Sequence, residues 1–166
     1  MQPSFFLSNK KNNRIFIFQS SVILSDFQVN YINHKLKKDF FPNWFSHNDK
    51  IEPELLIKYR HFIIISTCKT NISGCSIDTL IKQIKSIDSE LSLDIFNRLN
   101  IAYCKANIST FQSSDKLQIS FLKYRDFINR FSNNDHDDIY IFNNNIIHSH
   151  SIWIQPIQSW LNNHTS

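Results

Sequence analysis

The residues best suited to chemistry in this chain lie in the stretch Ser73-Gly74-Cys75-Ser76-Ile77-Asp78, which holds the only glycine among 166 residues. An apolar strand pattern at 62–66 precedes the stretch, and apolar residues at helical spacing follow it as far as residue 91. A loop that enters a helix leaves backbone N–H groups unpaired at the helix N-terminus, where they can hold an anion or a reactive side chain. We therefore take residues 73–78 as the candidate site.

Cys75 is the candidate nucleophile of this loop. A helix N-terminus stabilises a thiolate by only about 0.3–1 kcal/mol, so an active cysteine also needs a histidine or another cation beside it. His47 is the candidate base, and His61 is the other histidine to consider. The alternative is that Cys75 is a small buried apolar side chain beside Leu80, with Ser76 as the helix cap.

The same loop can bind a ligand without catalysis. Ser73, Gly74 and Ser76 can present hydroxyl and N–H groups to a phosphate or a carboxylate. Asp78 disfavours a highly charged anion, because its carboxylate already complements the helix end. Trp44 is expected to lie beside this binding surface. The alternative is simple capping by one of the two serines, with Gly74 at positive φ or close to another segment.

Two further groups of side chains suggest weaker site hypotheses. His148 and His150 would share one face of a strand, as metal ligands can, but a solvated polar edge explains them equally and no ligand spacing is present. Trp44, Trp153 and Trp160 could stack RNA bases, although tryptophans also pack in cores. The net charge of +4 is dispersed along the chain, so nucleic acid is disfavoured as a partner. No metal or cofactor is expected.

The composition predicts one folded domain over residues 1–166. Apolar residues make up 42% of the chain and aromatic residues 14%, which excludes wholesale disorder. Cys68, Cys75 and Cys104 have neither a disulfide framework nor zinc spacing. No signal sequence is evident, and no apolar run approaches the roughly 20 residues of a membrane span. We therefore expect a cytoplasmic protein with no membrane contact.

Local patterns predict the elements that position the loop. Apolar runs indicate strands at 14–19, 60–66, 100–103, 117–121 and 139–142. Helices are predicted from Ser25, where Gln28 completes a capping box, and then at 77–91, at 124–131 and after Pro156. Between the first helix and the second strand we expect an extended segment at 41–47, a turn at 48–50 and a break at Pro53.

These elements indicate an α+β or α/β fold with a mixed sheet and helices mainly on one face. Over residues 1–104 the order of strand, helix, two strands, helix and strand is typical of ferredoxin-like folds. Residues 105–166 would form a C-terminal extension. It begins with a polar loop at 105–115 and continues through a strand, a helix, a hairpin and a last helix.

Five segments of the chain look familiar together. They are Asn13-Arg14-Ile15-Phe16-Ile17-Phe18-Gln19-Ser20, Phe41-Pro42-Asn43-Trp44 with His47, the 73–78 stretch, Asn97-Arg98-Leu99-Asn100-Ile101-Ala102-Tyr103, and Ile141-Phe142-Asn143-Asn144. Between Pro3 and Trp160 the chain resembles a family of small uncharacterised bacterial proteins often labelled "ABC transporter ATPase". Where that family tends to have glycine after the histidine, this chain has Asn48.

The residues contradict the ATPase label. An ABC ATPase needs the phosphate loop G-x-x-x-x-G-K-[ST], in which backbone amides surround the phosphates and a lysine reaches the last one. A chain with one glycine cannot form this loop, and no lysine follows Gly74 at the required offset. The sequence therefore predicts that the protein does not hydrolyse ATP.

The sequence favours a non-catalytic intracellular binding or interaction module that uses residues 73–78 and the neighbouring segment 44–47. Its partner would be another protein or a small anionic ligand. The alternative is a cysteine-dependent enzyme with Cys75 as nucleophile and His47 as base. An RNA-associated factor is the third hypothesis.

Overall fold

The computed structural model describes residues 5–6, 13–69, 71–97, 99–107, 110–111, 117–133 and 136–164. The strands are β1 (Phe5–Phe6), β2 (Arg14–Gln19), β3 (Phe45–Ser46), β4 (Asp49–Lys50), β5 (Pro53–Lys58), β6 (Phe62–Thr67), β7 (Asn100–Lys105), β8 (Ser120–Lys123), β9 (Ile139–Phe142) and β10 (Ile152–Pro156). The α-helices are α1 (Asp26–His34), α2 (Gly74–Leu91), α3 (Tyr124–Phe131) and α4 (Ile157–His164). A π-helical turn (Lys35–Phe40) and a 3-10 turn (Phe41–Asn43) continue the chain after α1. Most of the loop predicted at 105–115 lies outside the described residues.

The described strands form two antiparallel sheets and one short hairpin. The first sheet has the order β2-β6-β5, the second has the order β1-β10-β9-β7-β8, and β3 pairs with β4. This arrangement confirms the predicted α+β class. The predicted mixed sheet is not observed, because the described strand pairs are all antiparallel. The ferredoxin-like order is not confirmed, because β7 pairs with β8 and β9 in the second sheet rather than with the strands of the first.

Strand β6 is apolar on both faces, and alternate residues enter different cores. Ile63 and Ile65 pack in the cluster that contains α1 and α2, whereas Phe62 and Ile64 pack in the cluster between the two sheets. Successive side chains of a strand point to opposite faces, so the continuous apolar run of β6 requires cover on both sides. The predicted burial of this strand is confirmed.

The second sheet repeats this alternation and completes four layers. Ala102 and Cys104 of β7 face the first sheet. Tyr103 between them packs against Phe127 of α3, in a cluster that also contains Trp160 of α4. The order of layers is therefore helices, sheet, sheet, helices. Each sheet packs one face on its own helices and the other face on the opposite sheet.

The start of α1 is confirmed, and the segment that follows it differs from the prediction. Ser25 caps the helix and forms a capping box with Gln28. The chain then remains helical through the π-helical and 3-10 turns, so residues 41–47 are not one extended segment. Pro42 lies at the start of the 3-10 turn, where its missing N–H has no helical partner to lose.

Three other local predictions need correction. Pro53 does not break the chain but begins β5, an edge strand whose first residue can lack an N–H. The turn predicted at 48–50 lies one residue earlier, with His47 and Asn48 at positive φ between β3 and β4. The strand predicted at 117–121 is β8 at Ser120–Lys123. The second strand of the predicted C-terminal hairpin, whose bounds were not predicted, is β10.

Gly74 does not have the special backbone that the sequence predicted. It is the first residue of α2, its φ is not positive, and a Cβ built on it meets nothing within 4 Å. Left-handed conformations occur instead at six other described residues, namely His47, Asn48, Tyr59, Arg60, Ser92 and Asp94. Tertiary contacts hold at least one of them, since the Arg60 guanidinium donates to the Leu24 carbonyl oxygen at 2.7 Å and pairs with Asp26.

Among the helices that the structure describes, none combines the length and the apolar character needed to cross a membrane.

The packing of α2 on the first sheet predicts a large cost for truncating its buried face. Leu80 and Ile84 are both 0% exposed, so Leu80→Ala or Ile84→Ala should lower the free energy of unfolding by about 2–5 kcal/mol. Lys82→Ala on the exposed side of the same helix is the control and should change it by less than about 0.5 kcal/mol. Chemical denaturation measures both values. A similar small loss in all three variants would show that another face of α2 packs on the sheet.

The backbone of α2 predicts that a glycine would stabilise the helix more at its C-terminal cap, Ser92, than at its first residue, Gly74. Gly74→Ala should raise the free energy of unfolding by about 0.4–1 kcal/mol, because alanine fits this open helical position and restricts the unfolded chain. Ser92→Gly should stabilise by a similar amount, since Ser92 caps α2 in the left-handed region. Thermal unfolding measures both effects. A lower melting temperature for Gly74→Ala would restore the close-approach hypothesis.

Candidate functional site

The hairpin β3–β4 packs on the N-terminus of α2 and brings the two predicted segments together. Trp44 precedes the hairpin, is 1% exposed, and donates its indole N–H to the Ser76 carbonyl oxygen at 2.9 Å. Its ring packs against Phe40 and Phe41, with centroids 5.5 and 6.3 Å away. Trp44 is therefore a buried residue whose hydrogen bond holds the loop in position. It is not the ligand-binding residue that the sequence predicted.

Two serine hydroxyls join the loop to the hairpin, and a third forms hydrogen bonds within the loop. Ser46 accepts a hydrogen bond from the Ser73 N–H at 2.9 Å, and Ser76 donates to the Phe45 carbonyl oxygen at 2.7 Å. Ser73 is the N-cap of α2 and accepts from the Ser76 N–H at 3.2 Å. The hydroxyl oxygens of Ser73 and Ser76 lie 2.6 Å apart. Because the Ser76 hydroxyl already donates to Phe45, the Ser73 hydroxyl is the donor in this hydrogen bond.

This network decides what the loop can offer to a ligand. Ser46 and Ser76 are 1% and 7% exposed, and buried hydroxyls of this kind are costly to leave without a partner. The hydroxyls of Ser73 and Ser76 are engaged within the protein rather than presented outward, which corrects the prediction that they face a ligand. Of the two alternative caps, Ser73 is the one observed.

Lys69, which precedes the loop, forms an ion pair with Asp49 of the β3–β4 hairpin. The Lys69 ammonium donates to an Asp49 carboxylate oxygen at 2.8 Å and to the Ser46 carbonyl oxygen at 3.4 Å. The hydrogen bond and the positive charge of Lys69 lower the pKa of Asp49 below its ordinary value. Because the two charges compensate each other, this side of the loop adds little net charge.

Cys75 lies on the outer side of the second helical position and is exposed. The prediction that it is a small buried side chain beside Leu80 is therefore wrong, because Ser76 occupies the inward position instead. Asp78 is also exposed. Among the described residues, no acceptor meets the backbone N–H groups of Gly74 and Cys75. The loop therefore presents these two N–H groups, the Cys75 thiol and the Asp78 carboxylate outward.

The two histidines considered as bases have different positions. His47 is exposed at the tip of the β3–β4 turn, and the described contacts include no hydrogen bond between its ring and Cys75. His61 is 6% exposed, and its Nδ1 lies 2.9 Å from the Ser20 carbonyl oxygen, to which it donates. Burial lowers the pKa of His61, partly offset by that hydrogen bond. His61 is thus a structural residue.

The remaining candidates do not form a site. Within the described part of the chain no cluster of three metal-ligating side chains is present, and the rings of His148 and His150 stack with centroids 5.5 Å apart. The tryptophans Trp44, Trp153 and Trp160 are 1%, 3% and 8% exposed. They pack in the core and offer no stacking surface for RNA bases.

The sequence did not identify Ser46, Asp49 or Lys69 as part of the site. Their partners lie between 20 and 27 residues away along the chain, so no local spacing could reveal them. The only available signal was that Asn43 and Ser46 lie close to Trp44 in the sequence and that polar residues precede the loop.

Comparisons of the chain with models of protein families, with curated proteins and with solved structures find no match.

The exposure of the three cysteines predicts their reactivity. Cys68 and Cys75 are exposed and should react rapidly with iodoacetamide in the native protein. Cys104 is buried between the sheets, and burial raises the pKa of its thiol to about 12, so it should react only after unfolding. Mass spectrometry of the labelled protein counts two native sites. The control Cys75→Ser should leave one, and labelling of Cys104 at the same rate would contradict the packing of the two sheets.

Proposed function

We propose that this protein is a non-catalytic binding module that holds an anionic group of a small ligand or a partner protein at the N-terminus of α2. The observation that carries the proposal is the pair of outward N–H groups of Gly74 and Cys75, for which no acceptor lies among the described residues. They open an 18-residue helix, and such helix ends attract anions through aligned backbone dipoles and unpaired donors.

The serine network supports this proposal because it fixes the loop before a ligand arrives. The N-cap Ser73 and the buried Ser46 and Ser76 are joined by hydrogen bonds of 2.6–3.2 Å. A loop that is already ordered loses little conformational freedom on binding. The favourable binding free energy from the two N–H donors is then not offset by the cost of ordering the loop.

The charges around the loop favour a singly charged group. Asp49 compensates Lys69, and Asp78 is exposed on the second turn of α2. A multiply charged phosphate ester would meet this carboxylate without a free cation of the loop to balance it. A carboxylate, as on a metabolite or an acidic side chain of a partner, fits this environment better.

A cysteine-dependent enzyme is the second proposed function, and the exposure of Cys75 favours it. In that mechanism the thiol proton passes to His47, and the sulfur attacks an electrophilic carbon of the substrate while the loop N–H groups stabilise the resulting oxyanion. It requires His47 to turn toward Cys75 when substrate binds. The bacterial origin, the cytoplasmic location and the family resemblance are proposed on the sequence alone.

A pair of substitutions at Gly74 tests the binding proposal. Gly74→Pro removes one N–H but suits the first helical position, and Ser73 before it has φ −63° and ψ 150°, which proline accepts. Gly74→Ala keeps the N–H and is the matched control. Acetate and inorganic phosphate are titrated while the amide signals of Cys75 and Ser76 are followed by NMR. We expect saturable binding of acetate, stronger than that of phosphate, in the native protein and in Gly74→Ala. In Gly74→Pro the binding of acetate should be weaker by about tenfold or more.

Equal binding by Gly74→Pro and Gly74→Ala would contradict a site at the helix N-terminus. Cys75→Ser separates the two proposed functions, since it keeps the backbone donors and removes the thiol. A binding module should retain its affinity for acetate in this variant, whereas an enzyme should lose all covalent reaction with an electrophilic substrate analogue.

We also propose that the protein neither hydrolyses ATP nor binds it with micromolar affinity, because the chain has no phosphate loop. Calorimetry with ATP and magnesium measures this, and a micromolar dissociation constant would overturn it.

A further inference from the structure

A cavity of about 530 Å³ lies where the ends of β2, β7 and β9 meet. Side-chain amides are its most frequent polar groups: Gln19, Asn97, Asn100, Asn143, Asn144 and Asn145. Its volume falls within the range of small-molecule sites, which combine apolar walls with a few placed polar groups.

Two of the amides each donate one hydrogen bond and accept another, and they hold the cavity wall in place. The Asn144 side chain donates to the Gln19 side-chain oxygen at 2.6 Å and accepts from the Trp153 indole N–H at 3.1 Å. Gln19 in turn donates to the Asn100 carbonyl oxygen at 3.3 Å. This chain of hydrogen bonds ties the first sheet to the second.

The neighbouring amides each keep one polar group without a partner among the described residues. Asn143 accepts from the Asn145 N–H through Oδ1, so its Nδ2 donor is unpaired. Asn97 donates to Asp94, and Asn100 donates to Ser21 at 3.5 Å, so the Oδ1 acceptor of each is unpaired. The cavity therefore offers both a donor and acceptors on a fixed frame.

Apolar and aromatic side chains form the rest of the cavity. Leu99 and Tyr124 border it at 65% and 47% exposure, and the Tyr124 N–H donates to the Leu99 carbonyl oxygen at 3.0 Å. Ile95 and Phe96 line another part of it. A planar ligand could stack on the Tyr124 ring and remove these exposed apolar surfaces from water.

We propose that this cavity binds the base of a free nucleoside, with adenine as the best match. A purine edge places a donor beside an acceptor, and its faces are flat and apolar. Here two different residues meet that edge, with Asn143 as the donor and Asn97 or Asn100 as the acceptor. No lysine, arginine, aspartate or glutamate is among the described lining residues. His164 also lines the cavity, but its Nδ1 donates to the Trp160 carbonyl oxygen. Because these residues supply no permanent positive charge to hold a phosphate group, the proposed ligand is a nucleoside rather than a nucleotide or a nucleic-acid strand.

NMR titration of the native protein with adenosine tests the proposal. We expect saturable shifts of the Asn100 and Asn143 side-chain amide signals. Asn143→Asp keeps the oxygen that accepts from Asn145 and replaces the unpaired donor, so it should weaken binding by about tenfold or more. Asn30→Asp makes the same charge change on the exposed side of α1 and should bind as the native protein does. Tyr124→Leu, at an exposed position, should also weaken binding while the protein stays folded.

Several results would overturn the proposal. They are the absence of saturable shifts at millimolar adenosine, equal binding of ribose, tighter binding of ATP or of an adenosine oligonucleotide, and unchanged affinity in both Asn143→Asp and Tyr124→Leu. Gly74→Pro should leave adenosine binding unchanged, which keeps this test independent of the anion site at α2.

Discussion

Strand β6 carries phenylalanine and isoleucine at four successive positions, and both of its faces must therefore be covered. Its register with β2 and β5 keeps Ile63 and Ile65 toward the helices and Phe62 and Ile64 toward the second sheet. Each such side chain contributes roughly 1.5–3 kcal/mol when fully buried. The requirement to cover one face positions α2 and the other positions the second sheet, so all four layers follow from this strand.

The loop before α2 inherits its position from that packing. With α2 held on the sheet by Leu80, Ile84 and Ile87, the helix start is brought against Trp44 and the β3–β4 hairpin. Buried hydroxyls then join the two segments, and the remaining backbone donors of Gly74 and Cys75 face outward. The candidate site thus follows from the hydrogen bonds at the helix N-terminus. The serine hydroxyls bond within the protein, and the N–H groups of Gly74 and Cys75 remain available to a ligand.

The sequence predicted what short-range patterns determine and missed what distant contacts determine. The Ser25–Gln28 capping box, the β6 run and the apolar face of α2 are local and were correct. The sheet that β7 joins depends on partners from the C-terminal part, and no pattern within residues 97–104 specifies it. The Gly74 prediction was wrong because tertiary contacts, such as those of Arg60, hold other residues in left-handed conformations. Likewise, the sequence identified the 73–78 stretch but not the hydrogen bonds that its serines form within the protein. One of these bonds depends on Ser46, which lies 27 residues before Ser73.

Amide hydrogen exchange at the four consecutive residues from Ser73 to Ser76 tests this account of the loop most directly. The Ser73 and Ser76 N–H groups donate to buried or capping hydroxyls, whereas those of Gly74 and Cys75 meet no acceptor among the described residues. We expect slow exchange at the two serines, fast exchange at Gly74 and Cys75, and slowing at the latter two alone when acetate is added. Protection of Gly74 and Cys75 in the free protein, or fast exchange at all four positions, would contradict the account.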